Sequence, residues 1–359
     1  FYTINGGRKM SRTENRKSEK RKGLKIVGIT ILVILVILLG IGVGGYSYIK
    51  GKLDKMQKVD INEADLEIDS QVAEKLSGYR NIAIFAVDSR SDDYGKGNRS
   101  DGIIIASINN KTKEVNLISV YRDTYLQIEG HGLDKVTHAY SYGEAPLAIS
   151  TLNANLDLNI KEFVSVNFDA VAEAVNAIGG IELDITSAEM QTMNAKYIRQ
   201  TTEATGIKSN YITQPGKQHV DGIQAVAYCR VRSTEGGDYK RTERMRTVIM
   251  KIADKLKTKS LGEINKFLDV ILPKIYTNIS AGDIISMAPD ALNYKFSNSV
   301  GWPYEVKGYT GAAWYGAPVT LETNVVKLHQ EVFKEGNYEP TENVKNVSNK
   351  IIKTTGYSK

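Results

Sequence analysis

The chain has 359 residues, 42% hydrophobic and 25% charged, an ordinary globular balance, and its single cysteine excludes any internal disulfide. The formal charge of +6 divides unevenly: residues 1–25 carry nine Lys/Arg against two Glu, a net of +7, while the remainder carries 38 basic and 39 acidic residues, a net of −1. Nucleic-acid binding needs a basic face on the folded body, so the charge argues against nucleic acid as a partner.

Phe1 to Lys9 precede Met10 and read as a translated extension or a mis-placed start. Residues 1–25 form a basic tail. Ile26–Ile49 is an uncharged apolar run, long enough to span a bilayer as one transmembrane helix. The Lys/Arg excess before it puts the tail in the cytoplasm and the body outside, a single-pass arrangement in the cell membrane. A cleaved signal peptide is the rival reading, but the apolar core is longer than such a peptide uses and no small-residue cleavage site follows. Residues 50–77 are rich in charge and read as a stalk, with the globular body from Gly78 to about 340 and a loose polar tail over 341–359.

The body opens with three short Ile/Val-rich runs, Ile82–Val87, Ile103–Ile108 and Val115–Val120, each bounded by turn residues as buried strands are. Short polar connections make them an antiparallel meander. His131–Gly143 reads as a polar, turn-rich segment. Glu144–Asn155 has helical spacing, Phe163–Phe168 alternates as a strand, and Asp169 is a candidate cap for a helix over Ala170–Ile178 that Gly179-Gly180 ends. Ile181–Ile185 is another strand, and Thr186–Pro215 reads as an irregular excursion. A short apolar element then leads to Arg230 and Arg232, a Gly-rich loop over Ser233–Tyr239, a long amphipathic helix, and further helices at about Leu261–Tyr276 and Ala281–Asn293. Strands mixed with helices predict an α/β body, with a mixed α+β-like sheet flanked by helices. Cys229 follows an apolar run with no His near it in sequence, so it reads as a buried, inert thiol.

In such a meander the exit of strand one, the entry of strand two and the exit of strand three share one edge. That edge gathers Asp88, Arg90, Arg99, Asp101, Arg122 and Asp123. Facing carboxylates repel unless a cation joins them, and arginines beside them call for an anion, so the edge suggests a divalent metal and a phosphate ligand. Arg230, Arg232, Asp238 and Arg241 form a second such cluster, with Arg241 at a helix start that itself favours anions. Surface salt bridging is the plain alternative for any one of these arginines.

The segments AVDSR, NRSD, SVYRDTYL, DKVTHAY, NAIGGIELDI and DGIQAVAYCRVR followed by D-x-x-R, in this order from Tyr79 to Lys257, resemble the LytR-CpsA-Psr family. The resemblance implies a membrane-anchored phosphotransferase that moves a cell-wall glycopolymer from an undecaprenyl diphosphate carrier to peptidoglycan through a phosphodiester. Teichoic acids and capsular-type polysaccharides are the implied polymers. It implies Asp88 and Asp101 as ligands of Mg2+ (or Mn2+). Arg99, Arg122, Arg230, Arg232 and Arg241 are implied as the diphosphate-binding arginines. Asp123 and Asp238, with Arg122, match the family's motif residues and are the implied catalytic set, orienting arginines or assisting the acceptor hydroxyl. It also implies an apolar slot for the lipid, expected between the sheet and the helices at Glu144–Asn155 and Ala170–Ile178. Two positions depart from the family pattern: Tyr121 stands where Pro is common and Met245 where Gln is common, which removes a polar contact from the expected site. His138 lies in a family-like segment but no histidine spacing makes a metal set. Alternatives are a polyprenyl-phosphate binding module, which would not need the Asp pair, a slow diphosphatase, and an envelope-linked transcriptional regulator, which the charge of the body disfavours.

Overall fold

The computed structural model describes residues 43–89, 93–287, 290 and 293–358. The chain runs α1 (Val43–Leu53), β1 (Gln57–Lys58), α2 (Ser70–Lys75), β2 (Tyr79–Val87), β3 (Ser100–Asn109), β4 (Glu114–Val120), β5 (Tyr125–Ile128), β6 (Gly132–Lys135), α3 (Val136–Leu156) and β7 (Glu162–Asn167). It continues through α4 (Phe168–Ala177), β8 (Ile181–Ile185), α5 (Ser187–Thr192), α6 (Ile198–Thr205), β9 (Gly216–Val220), α7 (Gly222–Arg230), α8 (Gly237–Lys257) and α9 (Leu261–Ile271). Last come β10 (Tyr276–Thr277), α10 (Ala281–Met287), β11 (Lys295–Trp302), the hairpin β12 (Val306–Thr310) and β13 (Trp314–Pro318), α11 (Leu321–Leu328) and α12 (Glu342–Thr355).

Seven strands form one mixed sheet in the order β1-β10-β7-β2-β3-β4-β11. The opening meander is antiparallel, as the sequence predicts, while β7 runs parallel to β2 and β11 parallel to β4. The sheet is covered on both faces, which is why its central strands are continuous Ile/Val runs. Ile82, Ile84, Ile104 and Ala106 point into one core with α4, α7, α8 and α9; Ala83, Phe85, Ile103 and Ile105 point into a second core with α3, α11 and α12. The mixed sheet flanked by helices agrees with the expected class.

Several expectations are corrected. Ile26–Gly42 lie outside the described residues, but Val43–Ile49, the end of the expected span, belong to α1, whose Ile49 is buried in the body beside Leu53 and Met56. Among the described residues no helix is long and apolar enough to cross a membrane. The expected stalk, 50–77, is folded onto the body, with Leu66, Val72 and Leu76 in the core. The expected loose tail, 341–359, holds α12, which buries Val344, Val347 and Ile351 on one stripe. His131–Gly143 is not merely turn-rich: it contains β6 and the start of α3, whose φ/ψ break at Gly143 and Glu144 marks where the expected helix begins. Asn167, not Asp169, caps α4, its side chain accepting from Ala170 N. The excursion over 186–215 is largely helical, started by a capping box between Thr186 and Glu189.

Candidate active site

The meander brings its strand ends to one edge as expected. Asp88 N donates to Arg99 O at 2.9 Å, extending the β2–β3 ladder, so these two residues are cross-strand neighbours. Asp101 is the second residue of β3 and Arg122 follows β4. From the other side α7 ends in Arg230, and a loop carries Arg232 to Gly236, whose φ of +83° is natural only for glycine and turns the chain into α8. Asp238 and Arg241 sit in the opening turns of α8. The local sequence explains this placement: the Asp221 cap with Gln224 starts α7, and α8 can begin only where glycine lets the chain reverse.

The two clusters meet on Asp101, which is 7% exposed. Its carboxylate accepts from Arg122 Nη1, from Arg232 Nη2 at 2.8 Å and from Arg241 Nη1 at 3.2 Å. Arg241, 1% exposed, also donates to the Asp101 carbonyl at 2.8 Å and lies 2.9 Å (Nε to Oδ1) from Asp238. Burial pulls the Arg241 pKa down, opposed by Asp238 and Asp101; an arginine stays charged regardless. Asp238 also lies 3.7 Å from Arg232, so its contacts are with arginines. Asp123 is on the rim: Lys135 Nζ is 2.8 Å away and Arg122 Nε 3.9 Å.

Asp88, Arg99, Asp101, Arg122, Arg230, Arg232 and Arg241 all line one open cavity of about 600 Å³; Asp123 and Asp238 flank it, and Arg90 lies outside the described residues. Lys196, Tyr197 and Gln200 join the lining, and the sequence reading missed them because it took their segment as irregular. Their signal was helical spacing after the capping box. Arg230 is held between the faces of Phe168 and Tyr197, 5.3 and 5.4 Å from the ring centroids, and donates to Thr201 Oγ1. Burial lowers its pKa, with Asp88 and Asp101 opposing. Six cationic side chains against two carboxylates give the lining a net charge of +4, which concentrates anions such as a diphosphate. Behind the loop with Arg232, Arg244 Nε meets Glu189 Oε1 at 2.6 Å while its other nitrogens donate to Val231 O and Thr234 Oγ1, so one buried pair clamps both ends of that loop.

A second cavity, of about 110 Å³, adjoins the first and is walled wholly by apolar side chains, among them Ile84, Ala174, Val226, Val248, Leu268 and Ile271. Phe168 and Met245 line both cavities. Met245 therefore serves as a shared wall between polar and apolar space. Gly102 permits its approach, since a Cβ there would lie 2.9 Å from Met245 Sδ. Cys229 also lines this cavity, and burial pushes its thiol up to about 12, so it is inert. The cavity lies between the sheet and α4, as expected on one side. The helix over Glu144–Asn155 is part of α3, on the opposite face of the sheet, and its place is taken by α7, α8 and α9. Alternation along the strands made the two faces indistinguishable from sequence alone.

The body is a two-sided α/β fold with an arginine cage at its sheet edge that opens beside an apolar chamber. The chain belongs to the LytR-CpsA-Psr family: the model described as LytR_cpsA_psr family matches residues 43–327. It is 32% identical over 275 residues to a polyisoprenyl-teichoic acid–peptidoglycan teichoic acid transferase, TagU, of Enterococcus faecalis, covering 75% of this chain and 84% of the relative. It is 29% identical to the transferase of the same description, TagT, of Bacillus subtilis, over 83% of this chain and 92% of the relative. Among solved structures it resembles protein gbs0355 of Streptococcus agalactiae (TM-score 0.58, 24% identity, 75% of this chain and 92% of that one) and TagT bound to LIIa-WTA (TM-score 0.52, 23% identity, 79% and 92%). These likenesses show the fold.

Proposed function

We propose that this chain is a single-pass, membrane-anchored extracytoplasmic phosphotransferase. It would move a cell-wall glycopolymer, of teichoic or capsular type, from undecaprenyl diphosphate to peptidoglycan. One observation carries the reading: the arginine-lined cavity and the wholly apolar one share Phe168 and Met245 as a wall. A polyprenyl diphosphate has those two natures in the same order. The relatives named as transferases of polyisoprenyl-linked teichoic acid support it.

In this reading Arg99, Arg122, Arg230, Arg232 and Arg241 bind the diphosphate oxygens, with bidentate guanidinium forks matched to phosphate. Asp238 orients Arg241 and Arg232, and Asp101 fixes the spacing of Arg122, Arg232 and Arg241. A peptidoglycan hydroxyl attacks the sugar-linked phosphorus; its oxygen forms the new phosphodiester bond while the bridging P–O bond breaks and polyprenyl phosphate leaves. Asp123, at the rim beside Arg122, is our candidate to take the hydroxyl proton, and the arginines stabilise charge on the leaving phosphate.

Asp88 and Asp101 offer carboxylate oxygens in one cavity, which suits a hard divalent ion that takes one or two carboxylates and fills the rest with water and phosphate, but both Asp101 oxygens are held by Arg122, Arg232 and Arg241, so Asp101 would ligate only where those arginines turn to the diphosphate oxygens. Among the described residues no group of three or more His, Cys, Asp or Glu gathers, so phosphate oxygens would have to complete the set. Bound there, Mg2+ or Mn2+ would neutralise diphosphate charge.

The test is transfer itself. The full chain in detergent is given a synthetic polyprenyl-diphosphate oligosaccharide, peptidoglycan oligomers and Mg2+, and mass spectrometry looks for a phosphodiester-linked product. The expected product disappears in Asp88→Ala and Arg122→Ala. Tight polyprenyl-diphosphate binding with no product from any donor would overturn the reading in favour of a binding module, and released sugar phosphate without linkage would mean hydrolysis.

A further inference from the structure

The entering helix α1 and the helix α9 run side by side in one direction. Tyr48 Oη donates to Asn265 Oδ1 at 2.9 Å, Lys52 Nζ to Asp269 Oδ2 at 2.7 Å and Gln57 Nε2 to Pro273 O at 3.2 Å, so the partners stay 217, 217 and 216 residues apart along the chain. Antiparallel neighbours would change that separation at every turn. The strands that follow the two helices, β1 and β10, are likewise paired in parallel, Gln57 with Tyr276. Carried back one turn, the offset of 217 sets Leu261, the first residue of α9, level with Gly44, the second residue of α1. At that end the uncharged run Ile26–Gly42, itself outside the described residues, joins the body. Leu261 is 63% exposed, the highest value of any large apolar side chain among the described residues, and Tyr48, one turn above it, is 50% exposed. A single exposed leucine is ordinary on a soluble surface. This one stands level with the end of a span-length apolar run, beside a tyrosine whose ring and hydroxyl match a water–lipid boundary.

The charge at this end agrees with a lipid surface. Residues 43–58 and 251–271, with α10 packed against α1, hold nine lysines against five acids, a net of +4, which draws anionic headgroups. We infer that the start of α1 and the turn from α8 into α9 rest on the bilayer, with Leu261 in the boundary between headgroups and acyl chains, Tyr48 at the interface and the lysines on anionic lipid. This rests on the membrane-anchored reading and not on the transfer chemistry. It also places the arginine cage. Lys274, just past the other end of α9, reaches Asp169 in the first turn of α4, next to Phe168 of the cage. The arginines therefore stand near the far end of α9, a helix of 11 residues and roughly 16 Å. A diphosphate raised that far must draw part of its tail out of the bilayer, and the apolar chamber along Phe267, Leu268 and Ile271 shields that part from water.

The full chain is reconstituted into vesicles of phosphatidylglycerol and phosphatidylcholine in equal parts. Cys229 is buried, so a nitroxide reagent labels only an added surface cysteine. Leu261→Cys and Gly262→Cys carry the label to the boundary; a side chain at Gly262 meets open space, so neither change disturbs packing. Lys353→Cys, exposed on α12, is the control in water. Power-saturation EPR compares collisions with oxygen, which concentrates in lipid, and with a nickel chelate, which stays in water. The ratio of oxygen to chelate collisions should be several-fold higher at 261 than at 353, with 262 between them. Equal ratios at all three positions, in a chain that still floats with the vesicles after an alkaline wash, overturn the docking and leave the anchor standing. A chain that the wash strips from the vesicles overturns the anchor and the docking with it.

Discussion

Ala174→Leu separates the apolar chamber's cost from its use. Ala174 is 6% exposed and lines the cavity of about 110 Å³. Leucine adds three carbons, worth about 2.4 kcal/mol at roughly 0.8 kcal/mol per buried methylene. Filling the void is worth a similar amount, about 2.6 kcal/mol at roughly 24 cal/mol per Å³. Restricting the leucine rotamers takes back about 0.5–1 kcal/mol, leaving a net gain near 1.5–2 kcal/mol. The same methyls occupy the space a prenyl chain needs, so polyprenyl-diphosphate affinity should fall more than about tenfold, a loss of about 1.4 kcal/mol. Urea denaturation of delipidated protein should show a higher midpoint at unchanged slope. Delipidation is essential, because bound lipid at about 100 times its Kd would itself stabilise the parent by about 2.7 kcal/mol. A variant that is less stable than the parent, or that binds polyprenyl diphosphate equally well, would refute the idea that this cavity is unfilled space kept for a ligand.

Three further predictions address positions away from the phosphate cage. His329 is buried, stacked at 3.6 Å on Tyr338, with Nε2 3.1 Å from Leu156 O; a carbonyl only accepts, so Nε2 carries the proton, and burial lowers the pKa to about 4 from 6.5. The unfolded chain therefore gains a proton below 6.5 that the folded chain refuses. The stabilisation is complete above that pH and falls away by about 3 kcal/mol as pH drops through 6.5 towards 4; His329→Phe should flatten this slope in denaturation curves taken across that range, and an unaltered slope would reject it. Arg244→Met leaves the 7% exposed Glu189 without its partner and should cost about 3–5 kcal/mol, against a smaller loss for the double variant Glu189→Gln/Arg244→Met, both read from urea midpoints. Gly222→Ala would place a Cβ 1.9 Å from Ala172 O where α7 crosses α4, and should cost about 3 kcal/mol or more in thermal melts, since neither backbone can yield; an unchanged melting temperature would mean the helices do not cross so closely.

The opening meander was legible because each strand is buried on both faces and ends in turn residues, so composition and punctuation agree. The Arg and Asp positions followed from that topology, since a meander has only two edges on which strand ends can meet. Other parts failed for identifiable reasons. The segment over 186–215 was polar enough to hide its helices, although Thr186 and Glu189 carry the spacing of a capping box. Val344, Val347 and Ile351 repeat at helical spacing in a polar tail, and that stripe outweighed the composition. Leu66, Val72 and Leu76 are isolated apolar residues among charges, and nothing local tells which body they will reach. The helix over Glu144–Asn155 was seen but assigned to the wrong face of the sheet, because both faces bury the same kinds of side chain.

The join between α1 and α9 sets a heading for the whole body. Tyr48 Oη donates to Asn265 Oδ1 at 2.9 Å, and Lys52 and Lys55 hold Asp269 at 2.7 and 3.2 Å. Phe267, Leu268 and Ile271, between and beyond those two residues on the same helix, form the floor of the apolar chamber. The incoming chain is thus fastened to the outside of the wall whose inside faces the chamber. Here the entry point of the chain and the mouth of the chamber keep a fixed bearing to one another, and a tilt or pull applied at residue 43 reaches the chamber through a single helix.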